Sequence, residues 1–143
     1  MNFQWAEGFR PPKGVSPDDV AASLAKLEEP SPESLYEASK EKGHILHGDL
    51  WSEGDQVWAR RGRIERCRKI ISSVHEIVVV GGRDIAIRNV EFVRSEGKGR
   101  WAGMETIRND PKLWDAYMAE VLRLQDQAAA KLSKLRELMS DQK

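Results

Sequence analysis

No disulfide can form within this chain, because Cys67 is its only cysteine. That excludes a disulfide-stapled scaffold and makes a reducing compartment the simpler setting. No apolar run approaches the roughly 20 residues of a membrane-spanning helix. The opening residues Met1-Asn2-Phe3-Gln4-Trp5 lack the charged and apolar regions of a secretory signal. The expectation is a soluble, cytoplasmic protein that meets no membrane. An excess of either charge is missing too, since 23 Lys and Arg stand against 23 Asp and Glu. The chain as a whole is therefore not a basic nucleic-acid protein, although a local basic patch is compatible with that balance.

Catalytic signatures are also missing. Gly81-Gly82-Arg83 lacks the following helix and the Gly-Lys-Ser/Thr ending of a phosphate loop. His44 and His47 stand near Asp49 and Glu53, but an HxxH spacing on a loop, with no second ligand cluster, does not supply the closed set that zinc takes. Cys67 falls on an apolar helix face and has no spacing signature with His44, His47 or His75. Most carboxylates sit at helix starts, where the helix dipole accounts for them. The reading is non-enzymatic, with no cofactor and no metal.

What is present suggests one domain of α+β class, mainly helical, with a small antiparallel sheet and a long C-terminal helix. The 143 residues are 40% hydrophobic and include five Trp, enough for a modest core. Residues 1–14 read as an irregular arm, with Phe3, Trp5 and Phe9 to pack on the domain and Pro11-Pro12 to block a helix. Residues 15–109 read as the helical and β core. Ser16-Pro17-Asp18-Asp19 is a helix start, with an N-cap, a proline at the first turn and acids at the positive dipole end. Val20, Leu24 and Leu27 share its inner face, and Pro30 ends it. Ser31-Pro32-Glu33-Ser34 repeats the signal, and Gly43 is placed to close the second helix. As a DNA-reading helix-turn-helix the pair is poor, because Glu33, Glu37 and Glu41 repel phosphates.

From Ser52, with Asp55 as a weak capping box, a helix is expected to run to Val74. Val57, Ile64, Cys67, Ile71 and Val74 share one face. Arg61, Arg66, Arg68 and Lys69 lie mainly off it, whereas Arg60 and Arg63 fall on or near the apolar arc. A long Arg in such a place buries its stem or pairs with a carboxylate. With Glu65 the only acid among them, Arg60, Arg61, Arg63, Arg66, Arg68 and Lys69 form the chain's best candidate nucleic-acid surface, on a basic helix spanning 57–74. The competing reading is a solvated face balanced by acidic neighbours. Ile77-Val78-Val79-Val80 then reads as a strand, Gly81-Gly82 as a turn, and Ile85 to Val93 as a second strand with a bulge near Asn89. Arg100-Trp101-Ala102 is a short third strand, and the basic helix is the expected cover of this sheet.

Asp110-Pro111 starts the last helix. Trp114, Tyr117, Val121, Leu124, Ala128, Leu132, Leu135 and Met139 recur at steps of three or four, with consecutive steps of four that relax a heptad towards straight-helix spacing. At 1.5 Å per residue the helix measures roughly 45 Å, longer than a core of this size spans. Its first half is expected to pack on the domain. Its second half projects towards another copy, or breaks near Gln125-Asp126-Gln127 and folds back. Val121, Leu124, Ala128, Leu132, Leu135 and Met139 are the candidate oligomer interface.

Several segments, taken in order, resemble a group of uncharacterised small proteins encoded by tailed bacteriophages and prophages. They are Ser31-Pro32-Glu33-Ser34-Leu35, Leu46-His47, Leu50-Trp51-Ser52-Glu53, Arg63 and Cys67-Arg68-Lys69-Ile70-Ile71, followed by a β segment ending near Phe92, an aromatic at Trp101 and a long last helix. The chain departs from that group at Cys67, where a small residue is expected, and at Gly62, where an aromatic is. The resemblance implies a setting, a phage or prophage gene product in the bacterial host cytoplasm, and no chemistry. Two functions follow as expectations. One is a protein–protein module that self-assembles or meets a host or phage protein. The other is a nucleic-acid-binding accessory protein of phage DNA metabolism.

Overall fold

The computed structural model describes residues 2–51 and 59–141. The Ser52–Asp55 capping box, Glu53 and Val57 lie outside the described residues. Strand β1 (Phe3–Trp5) is followed by helices α1 (Pro17–Ala25), α2 (Pro32–Ser39), α3 (His47–Trp51) and α4 (Ala59–Ser73). Strands β2 (Val74–Val80), β3 (Arg83–Arg88), β4 (Val90–Ser95) and β5 (Lys98–Gly103) come next, then α5 (Met104–Asn109) and α6 (Pro111–Asp141). This is a mixed α+β fold with small antiparallel sheets and a long C-terminal helix.

The helix starts follow from their caps. Ser16 Oγ accepts the Asp19 N–H at 3.1 Å, Ser31 Oγ accepts the Ser34 N–H at 3.0 Å, and Asp110 Oδ1 accepts the Lys112 N–H at 3.0 Å. Each cap is followed by proline, whose missing N–H leaves nothing unsatisfied in the first turn. The helix ends differ from expectation. α1 stops at Ala25, before Pro30, in a tightened turn in which the Leu27 N–H reaches Leu24 O at 3.1 Å. α2 stops at Ser39 with Lys40 as its cap, and Gly43 does not take the left-handed conformation of a closing glycine. Instead a series of tight turns carries the chain to α3, with His44 N–H bonded to Glu41 O at 3.0 Å and His47 N–H to His44 O at 3.0 Å.

The N-terminal residues are more regular than expected. Phe3–Trp5 pairs antiparallel with β2, with Phe3 opposite Glu76 and Trp5 opposite Val74, and Phe3 N–H is held by Asp18 Oδ1 at 3.0 Å. The three-stranded sheet has the order β1-β2-β3. Its β2–β3 hairpin closes through Gly81-Gly82, both at positive φ, which matches the right-handed twist of the strands. The second turn, Glu96-Gly97, uses the same geometry with Glu96 at φ 55°.

The expected second strand is two strands. The chain leaves the first sheet at Asn89 and enters a separate hairpin, β4–β5, in which Phe92 faces Trp101. Asn89 joins the sheets through its backbone: its N–H donates to Val74 O at 3.0 Å and its carbonyl accepts from the Met104 N–H at 2.7 Å. The parity shift from Ile85 and Ile87 to Val90 and Phe92, which suggested a bulge, marks this exchange of sheets.

The β4–β5 hairpin separates two packed clusters. Val90 and Trp101 face the main core, formed by Val20 and Leu24 of α1, Leu35 and Tyr36 of α2, Leu46, Leu50, and Cys67, Ile70 and Ile71 of α4. Val93 and Ala102 face a smaller cluster with Met104 and Ile107 of α5 and Leu113 of α6. The alternation of strand side chains lets one hairpin serve both. Phe3, Trp5 and Phe9 pack against the main core. The basic helix is not chiefly a cover for the sheet. α4 packs mainly against α2 and reaches β2 and β4 less extensively, while α1 lies against β1 and β2. The reason is that α4 runs directly into β2 at Ser73–Val74, which leaves only its end beside the strands. No described helix is long and apolar enough to cross a membrane.

Candidate interaction surfaces

Two features stand out from the packed body: the row of basic side chains on α4 and the apolar stripe on α6. Within the basic row only Arg63 is buried and Arg66 half-buried, yet four of the six cations touch groups of their own chain. Arg63, 9% exposed, donates from Nε to Leu50 O at 2.6 Å, and its Cζ lies 3.7 Å from the Trp51 ring centroid. Arg60 stands over the Tyr36 ring at 5.5 Å. Arg66 pairs with Asp49 at 3.0 Å, donates to Arg10 O at 3.2 Å and lies 5.2 Å from the Phe9 ring. Arg68 pairs with Glu65 at 3.5 Å and lies 5.7 Å from the Trp101 ring. Arg61 and Lys69 are exposed, as are Arg60 and Arg68. The puzzle of arginines on an apolar arc is thus answered by aromatic rings, whose faces attract a guanidinium while its stem packs.

A hydrogen-bond network holds those rings in place. Ser39, fully buried, donates from Oγ to Tyr36 O at 2.7 Å and accepts the Trp51 Nε1–H at 3.0 Å, while its carbonyl bonds His47 Nδ1 at 2.8 Å. His47 stacks on Trp51 at 6.4 Å, and Tyr36 meets Trp51 at 5.6 Å. No buried side-chain polar atom among the described residues lacks a partner. The arrangement fixes α3 between α2 and α4, and its chemistry is that of a structural joint.

His44 is also committed. Its Nδ1 accepts the Leu46 N–H at 3.1 Å, so the neutral ring carries its proton on Nε2 and donates to Ser23 Oγ at 2.9 Å. Burial, then His47 and Lys26, holds His44 below the usual imidazole range. The folded state therefore binds fewer protons here than the unfolded chain, whose imidazole titrates near about 6.5. This contribution to stability is present in full above about pH 6.5 and is lost as pH falls through the lower folded value. Melting temperatures measured from pH 7.5 to 5.5 (about one unit either side of that value) should fall more steeply for the native chain than for His44→Asn, whose side-chain oxygen can still accept the Leu46 N–H. Equal slopes would contradict the assignment. Cys67 is fully buried, and its thiol is pushed up to about 12, chiefly by burial and then by Asp49, which keeps it neutral and unreactive.

A concavity of about 1390 Å³ runs between α1 and the β5–α5 segment, lined in part by Leu24, Leu27, Glu29, Trp101 and Met104. Glu29 at its wall already accepts the Trp101 N–H at 3.0 Å, and Asp18 accepts that of Phe3. These carboxylates tie elements together. No group of metal-ligating side chains occurs among the described residues.

The tail of α6 is different in kind. Leu113 is the only buried residue along the helix as described, and Ala116 and Tyr117 pack at the edge of the small cluster. From Ala119 to Asp141 every residue is exposed. Packing on the domain ends within the first two turns, sooner than the expected half. The helix continues unbroken through Gln125-Asp126-Gln127. The candidate interface residues are all solvent-facing: Val121 is 39% exposed, Leu124 51%, Leu132 47%, Leu135 49% and Met139 65%, with Ala128 between them. The structure adds Leu122 and Leu138, exposed and off the stripe, and Val79 and Val80 at the tip of the β2–β3 hairpin. The stripe periodicity excluded the first pair, and a strand pattern alone does not distinguish a projecting hairpin end. No protein-family model, curated protein or solved structure matches the chain.

Proposed function

We propose that this protein is a non-catalytic self-assembly module in which the compact body carries the α6 tail and the tails of separate copies pair. The observation that supports this reading is the tail itself: every residue from Ala119 to Asp141 is exposed, yet it keeps an apolar stripe at helical spacing. In proteins most helical stability comes from packing an apolar face rather than from intrinsic propensity, and this tail has no such packing within one copy. A contiguous exposed apolar surface of this kind marks an interaction site. The phage or prophage setting implied by Ser31 to Leu35 and the Cys67 to Ile71 segment belongs to the same proposal. A host or phage protein remains the competing occupant of the tail.

The nucleic-acid reading of α4 has less support. Non-specific affinity scales with the number of phosphates neutralised, and four of the six cations stand against rings, carboxylates or carbonyls of their own chain. Light scattering on the full chain and on a chain ending at Leu124 tests the self-assembly proposal. The full chain is expected at a multiple of its 16.2 kDa mass, and the shortened chain at the mass of one copy with its helical spectrum per folded body unchanged. Two monomers would overturn it.

A further inference from the structure

Resting on the reading that the tails pair, we propose that they pair as two antiparallel helices in a straight seam, with a second copy of this chain as the occupant and Ala128 at the two-fold axis. The spacing supports the symmetry. From Tyr117 through Val121, Leu124, Ala128, Leu132 and Leu135 to Met139 the steps are 4, 3, 4, 4, 3 and 4. That series reads the same in both directions about Ala128. Turning one helix end for end about this residue therefore sets Leu124 against Leu132 and Val121 against Leu135 of the second copy, and brings Met139 to the height of Tyr117, which packs on the small cluster of its own body. Ala128, the smallest member, meets its own equivalent where the helices approach most closely. The two halves of the series are each 11 residues long, a repeat of about 3.67 residues per turn, which keeps a stripe nearly parallel to the helix axis or coils it slightly to the right. A left-handed heptad coil would not hold it.

Charge selects the direction. Lys131 and Arg136 flank the stripe on opposite sides, five positions apart. In a parallel, in-register pair, flanking positions at that offset face each other across the seam, so Lys131 would meet Arg136 of the other copy twice. In the antiparallel pair that repulsion is absent, because Lys131 comes to the height of Gln125 and Arg136 to the height of Glu120 of the second copy. Glu120 is held by Arg123 of its own chain, so the direction rests on avoiding the Lys131–Arg136 contacts. Like charges directly opposed are unfavourable and opposite charges set orientation.

Single cysteines read this geometry. Val121→Cys and Leu135→Cys, each on the full chain with a tag of different mass, are oxidised with glutathione disulfide separately and as a mixture. Cys67 stays silent, since it is buried and its thiol is pushed up to about 12. In the antiparallel seam of Val121→Cys alone, the two introduced thiols are separated by about 21 Å of helix rise, far beyond the roughly 7 Å limit for a disulfide. The expected result is a cross-linked dimer in the mixture, at least about ten-fold above either variant alone. Links within each variant alone would make the seam parallel, overturning this inference and leaving self-assembly intact. A dimer mass by light scattering with no cross-link in any sample would move the interface elsewhere and overturn it as well. A single-copy mass for both variants and the native chain would overturn the underlying proposal.

Discussion

Replacing Leu124 and Leu132 together by Glu should turn the assembled protein into single copies, weakening association by about 100-fold or more, without lowering the melting temperature of the body. The two residues are about half exposed in one copy, so their substitution removes nothing from either packed cluster. In a pair they would be the flanking layers of the central Ala128. Burying a carboxylate there, with no partner placed to receive it, costs several kcal/mol at a site whose apolar contacts each supply about 1.5–3 kcal/mol at most. Sedimentation velocity and a thermal melt on the same sample separate the two effects. A variant that still sediments as a dimer would locate the interface elsewhere, and one that loses the body's melt would show that the tail packs on the body.

Replacing Arg63 by Ala should destabilise the body by about 3 kcal/mol, with the assembly state unchanged at concentrations where the protein is folded. The side chain is 9% exposed, and its Nε–H is the partner of Leu50 O at the end of α3. Truncation leaves that carbonyl short of a donor, a cost of about 1–3 kcal/mol. It also strips the cation from the Trp51 face, worth about 0.5–2 kcal/mol, and opens a hole between α3 and α4. Arg63→Lys should lose about half as much, because an ammonium keeps the charge and much of the stem but not the planar fork that stacks and donates together. Urea denaturation should show the midpoint falling in the order native, Lys, Ala, with a constant slope. An Arg63→Ala midpoint within error of the native one would mean that the ring and carbonyl contacts are incidental.

These expectations differ in how far the sequence alone leads to them. Short-range rules placed Ser16, Ser31 and Asp110 as caps, because an N-cap and the residues it satisfies lie within one turn. The length and exposed stripe of α6 were legible for the same reason, since a helix repeats its own face. The fates of Arg60 and Arg63 were not. Their wheel positions put them on or near the apolar arc, and the structure buries Arg63 but leaves Arg60 exposed; the Tyr36 and Trp51 rings they meet belong to other helices, and nothing local ties them together. The exchange of sheets at Asn89 was visible only as a broken alternation. Its resolution depends on Val74 and Met104, distant on either side of it in sequence, each bonding one backbone group of Asn89. The short helices α3 and α5 were missed because each covers barely more than a turn, too little for a periodic pattern. The β1 strand was missed because Phe3–Trp5 is a strand only where β2 offers an edge.

Amide hydrogen exchange resolved along α6 bears most directly on the claim that copies meet through their tails. In the native chain, residues 121–139 should be protected well beyond what an isolated exposed helix allows, and the Leu124→Glu, Leu132→Glu variant should lose that protection while residues 59–73 keep theirs. Equal exchange of 121–139 in the two proteins would contradict the account.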